Sequence, residues 1–207
     1  MNTKIKYYSF IFLIGFFLSA HSQAEGNIDA GKSKSTTCAA CHGVDGTSVT
    51  GLWPNLAGQH AKYLLKQMVA FKKGAAGGRN DPIMTPLMQN LSSQDMEDLA
   101  AYYESQAVPA GAAEKSLVDL GQNIYRGGNL KTQLAACIAC HGPKGLGNPE
   151  AAFPVLSGQH PEYVLKQLKA YQEGSRKDEN LTIMNDIAHK MSDDEMKAVA
   201  NYVSGLY

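Results

Sequence analysis

One pattern is written twice in this 207-residue chain, about 100 positions apart. Cys38-Ala39-Ala40-Cys41-His42-Gly43 returns as Cys137-Ile138-Ala139-Cys140-His141-Gly142, an offset of 99. Pro54-Asn55-Leu56-Ala57-Gly58-Gln59-His60 returns as Pro154-Val155-Leu156-Ser157-Gly158-Gln159-His160, an offset of 100. Tyr63, Leu65, Lys66 and Gln67 return as Tyr163, Leu165, Lys166 and Gln167, and Ile83-Met84, Met96, Ala100 and Tyr102 each recur 100 residues on. The register slips by one between the His and the Pro, so one loop has gained a residue. A solenoid needs three or more units, so two copies mean tandem domains. The join falls at Val108-Pro109-Ala110-Gly111-Ala112-Ala113, which lacks apolar periodicity and carries Pro and Gly. The expected domains are 25–108 and 109–207.

Residues 1–24 read as a secretory signal. Lys4 and Lys6 form a basic start, Ser9 to Ala20 is nearly all apolar, and Ser22 and Ala24 are the small residues of a cleavage site. The apolar run of about 12 residues falls short of the roughly 20 that a spanning helix needs, which favours cleavage near Ala24 over an anchor. The chain carries 19 basic and 19 acidic residues, and without Lys4 and Lys6 the balance is 17 to 19. Such a balance excludes a strongly basic nucleic-acid binder.

Each half reads as helical. A first helix enters near Asp29 and leads to the cysteines. A second, His60 to Lys73, carries Tyr63, Leu64, Met68 and Phe71 on one face, with Tyr163, Val164, Leu168 and Tyr171 as its mate. The last helix starts at Ser92-Ser93-Gln94-Asp95 and buries Met96, Leu99, Ala100 and Tyr103. Its mate starts at Ser192-Asp193-Asp194-Glu195, a capping box, and buries Met196, Val199 and Val203. Alternating β patterns are absent, so the fold class is all-α.

Every cysteine of the chain lies in a C-x-x-C-H motif, the signature of c-type haem attachment. Two thiols three positions apart share one side of a helical turn, where each can add to a haem vinyl group. The next residue, His42 or His141, is then placed to ligate the iron. A thioredoxin-type motif needs one CxxC in a βαβ setting and no trailing His. Four thiolates could share one zinc, but the pairs sit in separate repeats and zinc gives the histidines no task. A disulfide over so short a loop staples little.

The second axial position decides between electron transfer and chemistry at the iron. Two methionine pairs are equivalent in both halves. Met96 and Met196 lie on the apolar face of the last helix and read as packing. Met84 and Met184 are expected on loops, 42 and 43 residues beyond the histidines, and are the candidate ligands. Met68, Met88 and Met191 lack methionine mates and read as packing. His60 and His160 are the competing pair and would give bis-His haems. His189 has no mate and reads as solvent-facing. Pro54 and Pro154, 12 and 13 residues after the histidines, are turn prolines on this evidence alone.

These residues together resemble the class I cytochrome c fold twice over, and more narrowly the dihaem cytochrome c4 family, across essentially all of 25–207. The resemblance rests on Cys38-Ala-Ala-Cys41-His42-Gly-Val-Asp-Gly, Leu56-Ala-Gly-Gln59, Tyr63-Leu-Leu-Lys-Gln67, Tyr125-Arg-Gly-Gly128, Cys137-Ile-Ala-Cys140-His141, Gly158-Gln-His160, Ile183-Met184 and Tyr202-Val-Ser-Gly-Leu. It implies one covalent haem per domain, held by Cys38 and Cys41 or by Cys137 and Cys140. It implies His42 and Met84 on the first iron, and His141 and Met184 on the second. It also implies that the carbonyl of Pro54 or Pro154 accepts a hydrogen bond from the ligand histidine.

The implied function is a periplasmic one-electron carrier, free or loosely membrane-associated. It would take electrons from a bc-type complex or a dehydrogenase and deliver them to a haem-copper terminal oxidase. Two alternatives stand beside it: a dihaem enzyme, either a peroxidase or a sulfur-compound dehydrogenase, and a haem subunit of a larger dehydrogenase or oxidase. An enzyme needs one open iron, against which the equivalence of Met84 and Met184 argues. Lys62, Lys66, Lys72 and Lys73 form either a solvated helix face or an oxidase-docking patch.

Overall fold

The computed structural model of the chain describes residues 26–177 and 182–206. The expected signal segment lies outside the described residues. Helices α1 (Ile28–Lys34), α2 (Thr36–His42), α3 (Ala61–Lys73), α4 (Met84–Gln89) and α5 (Ser93–Glu104) make the first half. Helices α6 (Lys115–Gly127), α7 (Ile138–His141), α8 (Pro161–Gln172), α9 (Ile183–His189) and α10 (Asp193–Ser204) repeat that order in the second. Among the described residues the only β pairing is three isolated bridges, so the fold is all-α, as expected. No helix among them is long and apolar enough to cross a membrane.

In each half the first and last helices cross closely. A Cβ on Gly31 would lie 2.0 Å from the Asp98 carbonyl oxygen, and one on Gly121 would lie 2.3 Å from that of Ala198. A glycine at the crossing lets the two backbones touch, so α1 lies on α5 and α6 on α10. Lys34 bridges the first crossing, 2.7 Å from Asp95 and 2.6 Å from Asp98. Both last helices begin with a full capping box, Ser92 with Asp95 and Ser192 with Glu195. Asp in place of Glu therefore closes the box equally well in the first half.

The expected packing faces are buried. Met96, Leu99, Ala100 and Tyr103 form the first core with Leu64, and Met196, Val199 and Val203 join Tyr125, Leu168 and Tyr171 in the second. Met88 and Met191 are core residues at 3% and 4% exposure, as their lack of methionine mates suggested. The single helix expected from Asp29 to the cysteines is broken at Ser35, whose amide turns back to the Gly31 and Lys32 carbonyls. Met84 and Met184 are not on loops: Met84 opens α4, and Met184 is the second residue of α9. Pro86 hid the first of these helices. It falls in the first turn of α4, where a missing N–H is tolerated.

The halves clasp each other by a duplicated set of hydrogen bonds. Gln59 grips the main chain of Val155, its Oε1 accepting from the amide at 2.8 Å and its Nε2 donating to the carbonyl at 2.9 Å. Gln159 grips the main chain of Asn55 in the same way, with both bonds at 2.9 Å. All four residues are buried. The repeated Gly-Gln-His is thus an interface motif, each copy reading the backbone of the other half.

Gly121→Val is expected to destabilise the second domain by about 1–3 kcal/mol, because the added side chain must force two backbones apart. A denaturant midpoint unchanged from wild type would contradict the crossing. Asp98 is held down to about 2 by hydrogen bonds from Lys34, the Asn27 amide and Gln94, against 3.8 for a free carboxyl. Its folded value is depressed, so its stabilisation is complete above about pH 4 and is lost as the pH falls toward 2. Asp98→Asn should flatten the acid limb of stability between pH 5 and 2, measured as the urea midpoint at each pH.

Candidate haem sites

The two cysteine motifs close short helices. Cys38 and Cys41 stand one turn apart on α2, and Cys137 caps α7, which contains Cys140. All four are free thiols. Among the described residues no group of three or more His, Cys, Asp or Glu side chains is placed to hold a metal ion. Burial pushes the Cys137 thiol up to about 11 and raises that of Cys38 as well.

His42 and His141 end α2 and α7 and are 4% and 8% exposed. The His42 Nδ1 lies 2.9 Å from the Pro54 carbonyl, and the His141 Nδ1 lies 3.1 Å from that of Pro154. A carbonyl can only accept, so Nδ1 carries the proton in both rings. Burial lowers both imidazole pKa values, more than the proline carbonyls raise them. Each ring is therefore neutral, with a bare lone pair on Nε2, the tautomer that a metal ligand needs.

The proline loops are held in place by one device used twice. The Gly46 carbonyl accepts from the Leu56 and Ala57 amides at 2.7 and 3.1 Å, and the Gly145 carbonyl accepts from Leu156 and Ser157 at the same distances. The extra residue of the second copy is absorbed upstream, in a turn where Asn148 and Phe153 exchange backbone hydrogen bonds. Pro54 and Pro154 thus meet the same requirement despite the slipped register.

A cavity of about 510 Å³ reaches both halves. Its walls include Cys38, His42 and Met84 from the first half, and Cys137, His141 and Met184 from the second. Leu64, Leu99, Val164 and Ile187 supply apolar lining. Asp81 accepts hydrogen bonds from the Ile83 and Met84 amides, both at 2.9 Å, and so fixes the start of α4. A second cavity of about 210 Å³ touches Cys38, Cys41, His42 and Met84. The structure thus brings every expected cysteine, histidine and methionine to a cavity wall.

His60 and His160 are not on those walls. The His60 Nε2 lies 2.8 Å from the Leu146 carbonyl and the His160 Nε2 lies 3.0 Å from that of Ser48, each across the interface. They serve the clasp, not the cavities. The lysine cluster is also partly engaged. Lys62 donates to the Glu150 carbonyl at 2.6 Å and Lys72 donates to the Leu91 carbonyl, while Lys66 and Lys73 have partners of their own. Sequence reading gave Gln67 and Gln167 only as landmarks of the repeat and passed over Arg79 and Arg176, and all four line the large cavity. The signal was a polar Gln repeated at 67 and 167 on otherwise apolar helix faces. The arginines were hidden by an offset of 97, out of step with the flanking repeat.

The cytochrome c family model matches residues 28–107 and again 118–206. The chain is 44% identical over 202 residues to cytochrome c4 of Azotobacter vinelandii, covering 94% of this chain and 96% of that one. It is 39% identical over 174 residues to the thiosulfate dehydrogenase electron acceptor of Stutzerimonas stutzeri strain A1501, covering 82% and 78%. The crystal structure of reduced recombinant cytochrome c4 from Pseudomonas stutzeri superposes with a TM-score of 0.85 at 42% identity. It covers 88% of this chain and all of that one.

The donor set fits a covalently held haem in each half. Two free thiols stand one turn apart, a neutral imidazole follows them, and an apolar cavity adjoins both. Haem c, when bound, supplies a reversible one-electron couple. The chain belongs to the cytochrome c family, as a dihaem electron-transfer protein of the cytochrome c4 type with two tandem domains.

Proposed function

We propose that this protein is a periplasmic carrier that moves one electron at each of two sites in a respiratory chain. Its domains are 25–108 and 109–207. Residues 1–24 direct export and are removed near Ala24. Cys38 and Cys41 tether the first haem, and Cys137 and Cys140 the second. His42 and Met84 would ligate the first iron, and His141 and Met184 the second. The observation that carries this reading is the matched placement of one imidazole and one thioether on the cavity wall of each half, with the Nδ1 of each imidazole occupied by a proline carbonyl.

With one imidazole and one thioether offered to each iron, the protein would leave no coordination position open to substrate, which favours a carrier over a peroxidase. The thioethers favour the reduced state and raise the potential. The proline carbonyls hold the imidazole planes and keep Nδ1 protonated. A bc-type complex or a dehydrogenase is the donor, and a haem-copper terminal oxidase the acceptor, with the protein free or loosely associated with the membrane surface. The likeness to the thiosulfate dehydrogenase electron acceptor favours a second reading of the donor, a sulfur-compound dehydrogenase that hands its electrons to this chain.

Met84→Ala and Met184→Ala test the ligands separately. Each is expected to lower the potential of its own haem by on the order of 100 mV, within the ~0.8 V range that axial ligands span. Each should also turn that haem high-spin or let a new ligand bind. Unchanged spin state and potential in either variant would remove that methionine as a ligand. Rapid mixing tests the partners. The reduced protein should be oxidised by a purified haem-copper oxidase at a rate that falls with salt, and no oxidation would rule out that acceptor. Reduction of the oxidised protein by thiosulfate dehydrogenase and thiosulfate would establish the second reading of the donor.

A further inference from the structure

Each half sets a buried tyrosine against the first cysteine of its motif, but from a different helix. One turn beyond the glycine of each helix crossing stands Ser35 in the first half and Tyr125 in the second. Where α5 carries Tyr103, α10 carries Val203. Cys38 packs against the core cluster that holds Tyr103, and Cys137 against the cluster that holds Tyr125. The two side chains also end at matched glycines. A Cβ on Gly46 would lie 2.7 Å from the Tyr103 ring, and one on Gly145 would lie 3.6 Å from the Tyr125 hydroxyl oxygen.

The two hydroxyls differ in what they bond. Tyr125 Oη donates to the Gly142 carbonyl at 2.6 Å. Among the described residues two buried side-chain polar atoms have no hydrogen-bond partner, and one of them is Tyr103 Oη. A buried hydroxyl without an acceptor costs free energy, so this one calls for an acceptor. Its polar neighbours are the Cys38 sulfur and the Ser35 hydroxyl. Burial holds the phenol far above its ordinary pKa, and the Cys38 sulfur adds to the rise, so Tyr103 keeps its proton. Ser35 has spent its own proton on the Lys32 carbonyl at 2.8 Å. Tyr103 and Cys38 share the wall of the large cavity, whereas Ser35 is not part of it. A free thiol carries a proton. Once Cys38 is joined to a haem vinyl carbon, its sulfur has lone pairs alone and can only accept.

We infer that Tyr103 is a positioning residue for the first haem, its hydroxyl donating to the thioether sulfur of Cys38. The second site lacks this bond, because the Tyr125 proton goes to Gly142. A donor aimed at an atom attached to the macrocycle puts partial positive charge beside it and favours the reduced state. Exchanging which helix carries the tyrosine thus separates the potentials of two sites whose candidate ligands match. The inference rests on the proposed tether at Cys38 and not on which side chain is the sixth ligand.

The test uses the intact holoprotein. In the reduced, diamagnetic state, proton magnetic resonance should show a slowly exchanging Tyr103 hydroxyl proton. It should give nuclear Overhauser cross-peaks to the Cys38 β-protons and to the proton on the bridging carbon of that thioether. The thioether signals report the tether by themselves. Their presence with a hydroxyl that contacts the Ser35 β-protons instead would overturn the inference and leave the tether standing. Tyr103→Phe removes only the hydroxyl. It should lower the midpoint of the first haem, raising its oxidised-to-reduced ratio at fixed potential by roughly threefold, about 28 mV for one electron. The midpoint of the second haem should hold. Two unmoved midpoints, or equal shifts at both haems, would overturn the inference. A Phe variant that unfolds at higher denaturant with both midpoints unmoved would do the same, since it would show a hydroxyl that never found an acceptor.

Discussion

An imidazole that ligates a metal must keep one nitrogen bare while the other is occupied, and the rest of this fold is arranged to meet that condition twice. The Pro54 and Pro154 carbonyls take the Nδ1 proton of His42 and His141. Each proline loop is then held by two amides on one glycine carbonyl, Gly46 or Gly145. The helix that presents each histidine also presents the thiols, so one short segment fixes the thiols and the candidate ligand together. The crossed first and last helices supply the wall behind it, and the glycines at the crossings bring that wall close.

Duplication gave the protein its interface as well as its second site. Gln59 reads the backbone of Val155 and Gln159 reads that of Asn55, so each half uses the same residue on the same target. His60 and His160 extend the pairing to Leu146 and Ser48. The glutamine contacts are buried and all of these bonds are directional, and they help to orient two domains whose covalent connection contains Pro and Gly. Two haem pockets held in a fixed relation can pass an electron between them without reorganising the protein, which suits a carrier with two sites.

Much of this was legible in the residues. The CxxCH pairs, the tandem repeat and the amphipathic helices all announce themselves by spacing, and the capping boxes marked the start of α5 and α10. What stayed hidden had physical reasons. Met84 and Met184 were assigned to loops because α4 and α9 are six and seven residues long, too short for a periodic signal, and Pro86 masked the first. His60 and His160 read as rival ligands because sequence shows the residue type and not the direction in which a ring points. Arg79 and Arg176 fell out of register by three positions, since the stretch from Gly174 to Arg176 is shorter than that from Gly74 to Arg79. They meet as an antiparallel bridge across the interface, where periodicity within one half carries no information.

The proposed ligation makes the two haems alike, each held by one histidine and one methionine. Low-temperature electron paramagnetic resonance of the fully oxidised, exported protein reads this directly, with signal intensity counted against haem content. Two low-spin ferric signals of the His/Met type, together accounting for all the haem, are the result expected. A high-spin centre, or a signal of the bis-His type at either site, would contradict it and return the dihaem enzyme to first place.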